Sequence, residues 1–483
     1  MEVCIIGAGY FGISAAKTCL DHNLKPFVLN KTSRIGGVWN GLPEQIGVWD
    51  SLHTNGSKYL FSYSDHLWPS EDPAYPSVSQ VMDYLDSYIQ KHHLASCIHH
   101  NCEVLHVEKI DNYFLVRWKN HYEIREKIFS YVIVATGKLS KESSQFRNTE
   151  KFKGLILKGG FYREPSVLAG KKVVCIGRSF TGCDISLEAL KVGAKVTQIY
   201  KRKYIYNKRF AKGLPTDFFI YNPSVLRESM KFPLSLSLIE KVNSITIKSH
   251  GNPGTLAPEW HISQEEAKNN IFPTVIQSDD YNEAIKNKKI TLIKGKAVDL
   301  YKDGVVLEDG SKIEADVIVL CMGYETNLDF LSESIKSTIE YKPENKDSAL
   351  SIYRLVLHPD IPGLAFVGLL MTGAPGRGDL QSEIAIRWFK GILNITEGEM
   401  RKGIEDEKKM RNHFGEYPWN YVGHLLLPEY LRILNMKVDI DGIKKKLGYK
   451  GPVIPQFLFM NREGQNDLAK KAVEQIKAQY PKL

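Results

Sequence analysis

The residues best suited to chemistry near the N-terminus form a glycine-rich turn. Residues 3–6 are apolar and predict a buried strand, and an alanine-containing stretch ending near Leu20 predicts a helix. The turn between them reads Gly7, Ala8, Gly9, Tyr10, Phe11 and Gly12. The three glycines permit the tight turn, close approach of backbone amides to a pyrophosphate, and packing of helix on strand. The pattern predicts a dinucleotide site at the positive end of the helix dipole, and a turn that binds nothing is the alternative.

Asn30 occupies the position, roughly 20 residues past the glycines, where such a unit usually carries an acid. The acid normally accepts a hydrogen bond from a ribose hydroxyl. An amide can make the same bond, but as a neutral partner it lacks the strength of a carboxylate. We therefore expect weaker dinucleotide binding rather than its loss.

A second strand, turn and helix begin near Lys171. The apolar residues 173–176 predict the strand, and the helix runs through about Leu190 and contains Asp184. The turn reads Gly177, Arg178, Ser179, Phe180, Thr181 and Gly182. Ser179 replaces the middle glycine, but it is small enough for close backbone approach and its hydroxyl can bind a phosphate. We expect a second dinucleotide site, with a packing turn in an α/β domain as the alternative.

The strand after this helix ends in three basic residues, Lys201, Arg202 and Lys203. A carboxylate at this point would repel the 2′-phosphate of NADPH, whereas an arginine accommodates it. The second cofactor is therefore expected to be NADPH rather than NADH. A solvated basic turn is the alternative.

Two dinucleotide sites in one chain suggest that hydride passes from a nicotinamide to a second bound redox group. The N-terminal site then holds a flavin, and FAD is the expected dinucleotide.

Several further motifs resemble the flavin-containing monooxygenase family, in the order in which its members carry them. They are Gly36-Gly37-Val38-Trp39, Thr54-Asn55-Gly56-Ser57-Lys58, Ala135-Thr136-Gly137, Phe152-Lys153-Gly154 with Tyr162, Cys321-Met322-Gly323-Tyr324 and Asp379-Leu380-Gln381-Ser382. The motifs span residues 1–391, and an ordered set is far more specific than either glycine turn alone.

The resemblance implies that NADPH reduces FAD, that oxygen forms a C4a-hydroperoxyflavin, and that NADP⁺ stays bound while a soft nucleophile takes an oxygen atom. The substrate is then a small molecule with an amine nitrogen or a sulfide sulfur. Asn55 is the implied catalytic residue, hydrogen-bonded to the oxygenated flavin and the nucleotide, with Thr54 beside it. The resemblance also places Gly37, Val38, Trp39, Thr136, Gly137 and Gln381 on the FAD side. From the residues alone, Asn55 could be a turn residue and Trp39 a core aromatic.

Three departures from the family pattern bear on these expectations. Asn30 replaces an acid and affects FAD affinity. Lys158 stands where the family fingerprint has histidine, and Glu383-Ile384 replaces the Arg-Trp that often follows the late glutamine. The last two are expected to alter contacts between domains or the coupling of oxidation to oxygenation.

Composition narrows the class of protein further. With 483 residues, of which 43% are hydrophobic, the chain can bury a large core. The net charge of +9 is spread among acids, so we expect no nucleic-acid partner. Seven cysteines without a CxxC pair indicate reduced thiols in the cytoplasm and no metal centre. No apolar run approaches the roughly 18 residues of a membrane span.

The expected fold is α/β, with two Rossmann-like dinucleotide-binding domains and the NADPH domain inserted into the FAD domain. We assign 1–165 and 300–400 to the FAD domain and 166–299 to the NADPH domain, with an inserted segment at 204–274. That segment is either a lid or surface elaboration. Residues 401–483 form a C-terminal helical extension that covers either the FAD domain or a partner subunit, and a homodimer is compatible with the resemblance.

Three other functions remain open at this point. A Baeyer–Villiger monooxygenase shares the two-nucleotide plan and attacks ketones. An NADPH oxidase would release hydrogen peroxide, and a non-catalytic nucleotide-binding protein would lack flavin because of Asn30. The sequence does not identify the substrate.

Overall fold

The computed structural model describes residues 1–121, 123–143, 146, 148–201, 203, 205–220, 254, 260–263, 275–342, 350–369, 376–414, 419–460 and 462–483. These residues form two five-stranded parallel sheets and several smaller antiparallel and two-stranded sheets. The expected α/β architecture with two Rossmann-like sheets is confirmed.

The first sheet contains β1 (Glu2–Ile6), β2 (Lys25–Leu29), β3 (Ile98–His99), β7 (Tyr131–Val134) and β22 (Leu364–Phe366). Its strands lie in the order β22, β7, β1, β2, β3, and every neighbouring pair is parallel. The central strands are almost wholly apolar because both of their faces are buried. The chain passes from β1 to one side of the sheet and returns on the other, so the strand order reverses between β1 and β7. A crevice for a ligand opens at such a reversal, at the carboxyl ends of the strands.

The second sheet repeats this plan. It contains β9 (Leu155–Lys158), β10 (Lys172–Ile176), β11 (Lys195–Tyr200), β16 (Ile290–Lys294) and β20 (Val317–Leu320). The order is β16, β11, β10, β20, β9, and all pairs are parallel. The reversal lies between β10 and β20, so the second ligand crevice is expected there.

The smaller sheets complete the two units and connect them. The antiparallel meanders are β4 (Cys102–Ile110), β5 (Tyr113–Asn120), β6 (Glu123–Phe129) and β17 (Ala297–Tyr301), β18 (Gly304–Leu307), β19 (Lys312–Glu314). The two-stranded pairs are β8 (Lys141–Glu142) with β21 (Tyr324–Glu325), β12 (Ile205–Asn207) with β15 (Val275–Gln277), and β13 (Phe210–Ala211) with β14 (Leu214–Pro215). The β8–β21 pair joins the two segments that link one large sheet to the other.

Strand pairing moves the boundaries of the second unit away from those expected from the sequence. β9 precedes the expected start at 166, and β20 follows the expected end at 299, yet both hydrogen-bond within the second sheet. A domain boundary cannot separate strands of one sheet without leaving their backbone groups unpaired. We therefore propose boundaries near 140 and 325, at the β8–β21 pair.

Twelve helices are described. They are α1 (Tyr10–Asp21), α2 (Val78–Lys91), α3 (Phe180–Lys191), α4 (Asp217–Ile220), α5 (Tyr281–Lys286), α6 (Glu333–Thr338), α7 (Arg377–Phe389), α8 (Glu397–Phe414), α9 (Trp419–Ile433), α10 (Ile440–Lys446), α11 (Pro455–Leu458) and α12 (Gln465–Gln479). α2 begins with a capping box in which Ser77 and Gln80 bond each other's backbone amides. Among the described residues, no helix combines the length and apolar character needed to cross a membrane.

The helices beyond α7 pack against the first sheet's unit. The side chain of Gln456 donates to the carbonyl of Tyr63 (3.1 Å), and Gln465 donates to the carbonyl of Ser64 (2.6 Å). Tyr430 receives a hydrogen bond from Gln381 in α7 at 2.9 Å. The C-terminal extension therefore packs on the unit of the first sheet.

Glu383 is a buried carboxylate at this interface. It is only 1% exposed, and it accepts hydrogen bonds from Arg462 of the extension, from Arg387 (2.9 Å) and from His22 (3.1 Å, with the ring protonated at that nitrogen). Burial raises its pKa, but the His22 bond and the charges of Arg462, His22 and Arg387 outweigh burial and lower the pKa to about 2. Glu383, which departs from the family pattern, therefore links α1, α7 and the C-terminal extension.

The lowered pKa predicts how stability depends on Glu383. A carboxyl with a depressed folded pKa stabilises the fold above its ordinary value of 4.5, and the contribution is lost as the pH falls toward 2. Glu383→Gln should lower the free energy of unfolding by about 3 kcal/mol at neutral pH, with a smaller difference below about pH 4. Denaturant titrations at several pH values measure this. Glu333→Gln, at a side chain 91% exposed, is the control, and equal effects of both variants would contradict the assignment.

Candidate active site

The first glycine turn has no room for side chains at two of its glycines. Gly7 has φ +108°, and a methyl group built on it would lie 2.7 Å from the carbonyl oxygen of Ala135. A methyl on Gly12 would lie 1.9 Å from the carbonyl oxygen of Gly7. α1 starts directly after Gly9, and neither a capping side chain nor an acid occupies its first turn. Its first amides are therefore available to an anion such as a pyrophosphate.

The side chains of Tyr10 and Phe11 point into the protein. Tyr10 stacks on Tyr63 with 4.2 Å between ring centroids. Phe11 lies under the guanidinium of Arg377, 5.2 Å from its ring centroid, and against Gly368. These two predicted site residues can therefore offer a ligand their backbone, not their rings.

The Gly36–Trp39 segment packs directly on the glycine turn. The amide of Gly36 donates to the carbonyl of Ala8 at 2.9 Å, and a methyl on Gly9 would lie 3.7 Å from the Cα of Gly37. Val38 accepts from the amide of Val48, and Trp39 is half-buried. The two motifs are therefore in contact, and they leave a narrow cradle before α1.

Asn30 lies at the end of β2, next to the glycine turn. Its amide nitrogen donates to the carbonyls of Thr32 and Arg34, both at 2.9 Å. Among the described residues, its Oδ1 accepts no hydrogen bond. The oxygen is thus the atom left to accept from a ribose hydroxyl, as the usual carboxylate would.

Of the other residues predicted on the FAD side, some are free to contact a ligand and some are engaged with the protein. Thr136 follows β7 beside the turn, and its buried hydroxyl has no hydrogen-bond partner in the described part of the chain. Gly137 has φ +73° and open space around it. Gln381 is occupied at both ends, because it accepts from the amide of Gly368 (3.0 Å) and donates to Tyr430. Thr136 therefore fits a bound group, whereas the Gln381 side chain ties α7 to the C-terminal extension.

The second glycine turn is packed like the first. Gly177 has φ +114°, and a methyl on it would lie 2.0 Å from the carbonyl oxygen of Cys321. A methyl on Gly182 would lie 2.3 Å from the carbonyl oxygen of Gly177. Ser179 precedes α3 without capping it, so the first amides of α3 are also available. The hydroxyl of Thr181 lies 3.4 Å from the hydroxyl of Tyr324. Phe180 packs against the buried apolar residues of the second sheet's unit.

Basic residues surround the end of β11, as the sequence predicts. Lys201 is exposed, and Lys203 donates to the carbonyl of His261 at 2.6 Å, while Arg202 lies outside the described residues. Arg178 is a cation that the sequence analysis did not single out. Its guanidinium is buried 3.6 Å from the ring centroid of Trp260 and 4.6 Å from that of Tyr200.

The Thr54–Lys58 loop is held by hydrogen bonds to neighbouring segments. Lys58 is buried, and its ammonium donates to the carbonyls of Pro69, Ser70 and Asp72. Its desolvation lowers the pKa of Lys58. Thr54 is buried too, and its hydroxyl has no partner among the described residues.

Arg209 reaches this loop from the segment that follows the second glycine unit. Its Nε donates to the carbonyl of Thr54 (3.3 Å) and its Nη2 to Oδ1 of Asn55 (3.2 Å). Its Nη1 pairs with Asp279 at 3.0 Å. With Oδ1 engaged, the Asn55 amide nitrogen becomes the free donor, which is the orientation needed to stabilise a bound oxygen.

A cleft of about 380 Å³ lies next to Arg209. Its lining includes Trp49, Tyr75, Asp184 and Phe210. Burial, chiefly, and Glu188 raise the pKa of Asp184 to about 7, although Arg209 and Lys191 act to lower it. Asp184, expected on the NADPH side, thus faces the cleft from α3.

Besides Arg178, three site residues were missed from the sequence: Arg209, Asp279 and Asp217. Asp217 begins α4 and accepts from the amide of Ser57 at 2.6 Å. All three lie far from the Thr54–Lys58 loop in sequence, in or after the inserted segment, and no spacing rule joins them to it. Lys158, in the place of the fingerprint histidine, is exposed, whereas Tyr162 is buried edge-on to Trp49.

Two parallel sheets with uncapped glycine turns at their reversals define the class of flavoproteins that bind two dinucleotides. Comparison with known proteins makes the assignment more specific. The sequence model described as flavin-binding monooxygenase-like matches residues 1–450. Flavin-containing monooxygenase 1 of Canis lupus familiaris is 28% identical over 413 residues, which cover 82% of this chain and 74% of the relative. Flavin-containing monooxygenase 1 of Rattus norvegicus is 26% identical over 98% of this chain and 91% of the relative.

Solved structures share the fold. S-allyl-L-cysteine S-oxygenase from Allium sativum has a TM-score of 0.62 at 20% identity, covering 100% of this chain and 99% of that one. The OTEMO complex with FAD and NADP has a TM-score of 0.64 at 16% identity, covering 89% and 96%. The chain belongs to the flavin-binding monooxygenase-like family and is a flavin monooxygenase that uses FAD, NADPH, oxygen and a small-molecule substrate.

The residues present fit these cofactors. The Gly9–Gly37 cradle, the Asn30 oxygen and the Thr136 hydroxyl would hold FAD. The Gly177–Gly182 turn and the basic end of β11 would hold NADPH. The Thr54 hydroxyl has no partner among the described residues, and the Asn55 amide nitrogen is left as a donor because Arg209 binds the oxygen.

The cradle can be tested at Gly9. Because Gly9 has φ −80° and a methyl would meet only ordinary contact at 3.7 Å, Gly9→Ala should fold but place a methyl before α1. We expect the dissociation constant for FAD to rise by about tenfold or more, measured by reconstitution of the apoprotein. Gly398→Ala, at an exposed helical glycine with open space, is the control. Unchanged FAD affinity in Gly9→Ala would refute this location.

The basic end of β11 can be tested at Lys201. Lys201→Ala removes a charged partner of the 2′-phosphate, so it should raise the KM for NADPH by roughly tenfold and leave the KM for NADH unchanged. Lys195→Ala, exposed at the other end of the same strand, is the control. Steady-state cofactor oxidation measures both constants, and an equal change with NADPH and NADH would contradict the role.

Proposed function

We propose that this flavin monooxygenase uses NADPH and oxygen to oxygenate a soft nucleophile, either an amine nitrogen or a sulfide sulfur. The observation that carries the proposal is the pinned orientation of Asn55. Arg209 engages its carbonyl oxygen at 3.2 Å, so its amide nitrogen remains as a fixed donor. A fixed donor is worth most where negative charge develops on oxygen in a site from which water is excluded.

When bound, FAD supplies the chemistry that passes electrons from NADPH to oxygen and one oxygen atom to the substrate. The residues of the chain bind, orient and shield. Lys58 anchors the loop that carries Asn55, and Arg209 orients the amide. The other product is water, formed from the second oxygen atom and protons.

Other supports come from the surroundings of the site. The seven cysteines are free thiols, which supports a cytoplasmic enzyme. The Thr54 and Asn55 motif with its lysine matches the flavin-containing monooxygenase pattern, which favours nitrogen or sulfur oxygenation over ketone oxidation.

The proposal is tested with a panel containing a tertiary amine, a dialkyl sulfide and a cyclic ketone, supplied with NADPH and isotopically labelled oxygen. We expect labelled N-oxide or sulfoxide in step with NADPH oxidation. Ester or lactone formed from the ketone would instead indicate a Baeyer–Villiger monooxygenase. Hydrogen peroxide without labelled organic product would indicate an oxidase, and a protein that retains no flavin would indicate a non-catalytic binding protein.

The role of Asn55 is tested by Asn55→Asp. Aspartate keeps an oxygen for Arg209 but removes the amide donor, so product formation should fall by about a hundredfold. Because both nucleotide turns are untouched, FAD content and NADPH oxidation should persist, and released hydrogen peroxide should rise. Product and peroxide are quantified per NADPH. Asn287→Asp, at an exposed helix end, is the control; full coupling in Asn55→Asp would contradict the role.

A further inference from the structure

Asp217 is a buried carboxyl that the proposed function leaves without a role. It begins α4, in the segment between the two halves of the second unit, and is only 5% exposed. Its Oδ2 accepts from the amide of Ser57 at 2.6 Å. Ser57 follows Asn55 by two residues, so Asp217 holds the Thr54–Lys58 loop from the side of the second unit.

The other carboxyl oxygen of Asp217, Oδ1, is buried and has no hydrogen-bond partner of normal geometry in the described part of the chain. The Ser57 side chain and the backbone amides of Asp217 and Phe218 nevertheless act to stabilise the ionised carboxylate. The hydroxyl of Thr54, on the same loop, is also buried without a partner among these residues. Buried polar atoms left unpaired are costly, so the Thr54 hydroxyl is available to a bound group.

The groups around Asp217 determine its charge. Burial raises its pKa to about 6, against the hydrogen bonds from Ser57, which lower it. Two tyrosines face it, Tyr75 from the first unit and Tyr480 from the C-terminal extension. Burial raises the pKa of both, Tyr480 to about 12, so they stay neutral.

Arg209 is a cation on the segment that precedes Asp217. It stacks over Tyr75, with its guanidinium carbon 5.9 Å from the ring centroid, but its charge is directed to Asp279 and to the loop carbonyls. No ion pair between Arg209 and Asp217 exists among the described residues. Above about pH 6, Asp217 is thus a buried negative charge that bonds the loop without a cation of its own.

We propose that Asp217 is a positioning residue that holds the Thr54–Lys58 loop, and that its negative charge beside this loop makes the enzyme bind oxidised nicotinamide more tightly than reduced nicotinamide. The inference rests on the proposed function and on the contact that the family resemblance implies between the nicotinamide nucleotide and Asn55, with Thr54 beside it. The oxidised ring carries a positive charge and the reduced ring is neutral. A buried carboxylate therefore stabilises the first relative to the second, and little solvent is present to screen the attraction.

The consequence concerns the order of the reaction. Once NADPH has given up its hydride, the nucleotide becomes cationic and its binding strengthens while Asp217 is ionised. The nucleotide then stays in place and keeps water away during oxygen transfer. Protonation of Asp217 removes this preference, and the loop keeps its Ser57 hydrogen bond in either state.

The experiment uses the FAD-loaded enzyme and two ligands that do not react with it. They are NADP⁺ and the redox-inert tetrahydro analogue of NADPH, whose ring is neutral. Dissociation constants for both, obtained from the perturbation of the flavin spectrum at about pH 5 and about pH 8, give the preference for the charged ring. The wild type should prefer NADP⁺ more strongly at the higher pH, by on the order of tenfold.

Asp217→Asn keeps an oxygen for Ser57 but cannot ionise, so its preference should be weak and independent of pH. Asp217→Glu should restore the pH dependence and also guards against a folding defect in the first variant. Asp280→Asn removes an exposed carboxylate and should behave as the wild type.

A wild-type preference retained in Asp217→Asn would overturn the inference alone. Equal weakening of both ligands in Asp217→Asn would overturn it as well, because a purely structural role affects charged and neutral rings alike. Failure of the wild type to bind either ligand would overturn both the inference and the proposed function.

Discussion

The structure depends on two close contacts between a glycine turn and the carbonyl of a linker. Gly7 lies against the carbonyl of Ala135, and Gly177 lies against the carbonyl of Cys321, with no room for a methyl group at either place. In each large sheet the strand that leads into the linker neighbours the strand that leads into the glycine turn. Each nucleotide turn therefore fixes the point at which the chain leaves that unit.

This constraint relates the two nucleotide sites to each other. The two linkers pair as β8 and β21 just beyond the contacts. Glu142 of this pair accepts from the amide of Gly160 at 2.6 Å, and Arg163 donates to the carbonyls of Leu42, Gln45 and Gly160. The Gly36–Trp39 segment, the linkers and the start of the second unit are thus tied together. The Thr54–Lys58 loop, held by Arg209 and Asp217, lies between the same two units.

Much of the fold and part of the site could be predicted from sequence. Apolar strands followed by glycine turns predict both large sheets and the starts of α1 and α3. The pattern is predictive because only glycine fits against the carbonyls of Ala135 and Cys321. The Arg209 and Asp217 contacts could not be predicted, because the residues they join are more than 150 positions apart and depend on how the two units pack. The boundaries at 165 and 299 missed β9 and β20 for a similar reason. A short apolar run does not indicate which sheet its strand joins unless the neighbouring strands are known.

Anaerobic mixing shows whether nucleotide bound in the second unit reduces FAD bound in the first. The FAD-loaded protein is mixed with NADPH, and then separately with NADH, while the visible absorbance of oxidised flavin is followed. We expect one equivalent of NADPH to bleach the flavin fully, and NADH to do so much more slowly. Flavin that stays oxidised although NADPH binds would contradict this expectation.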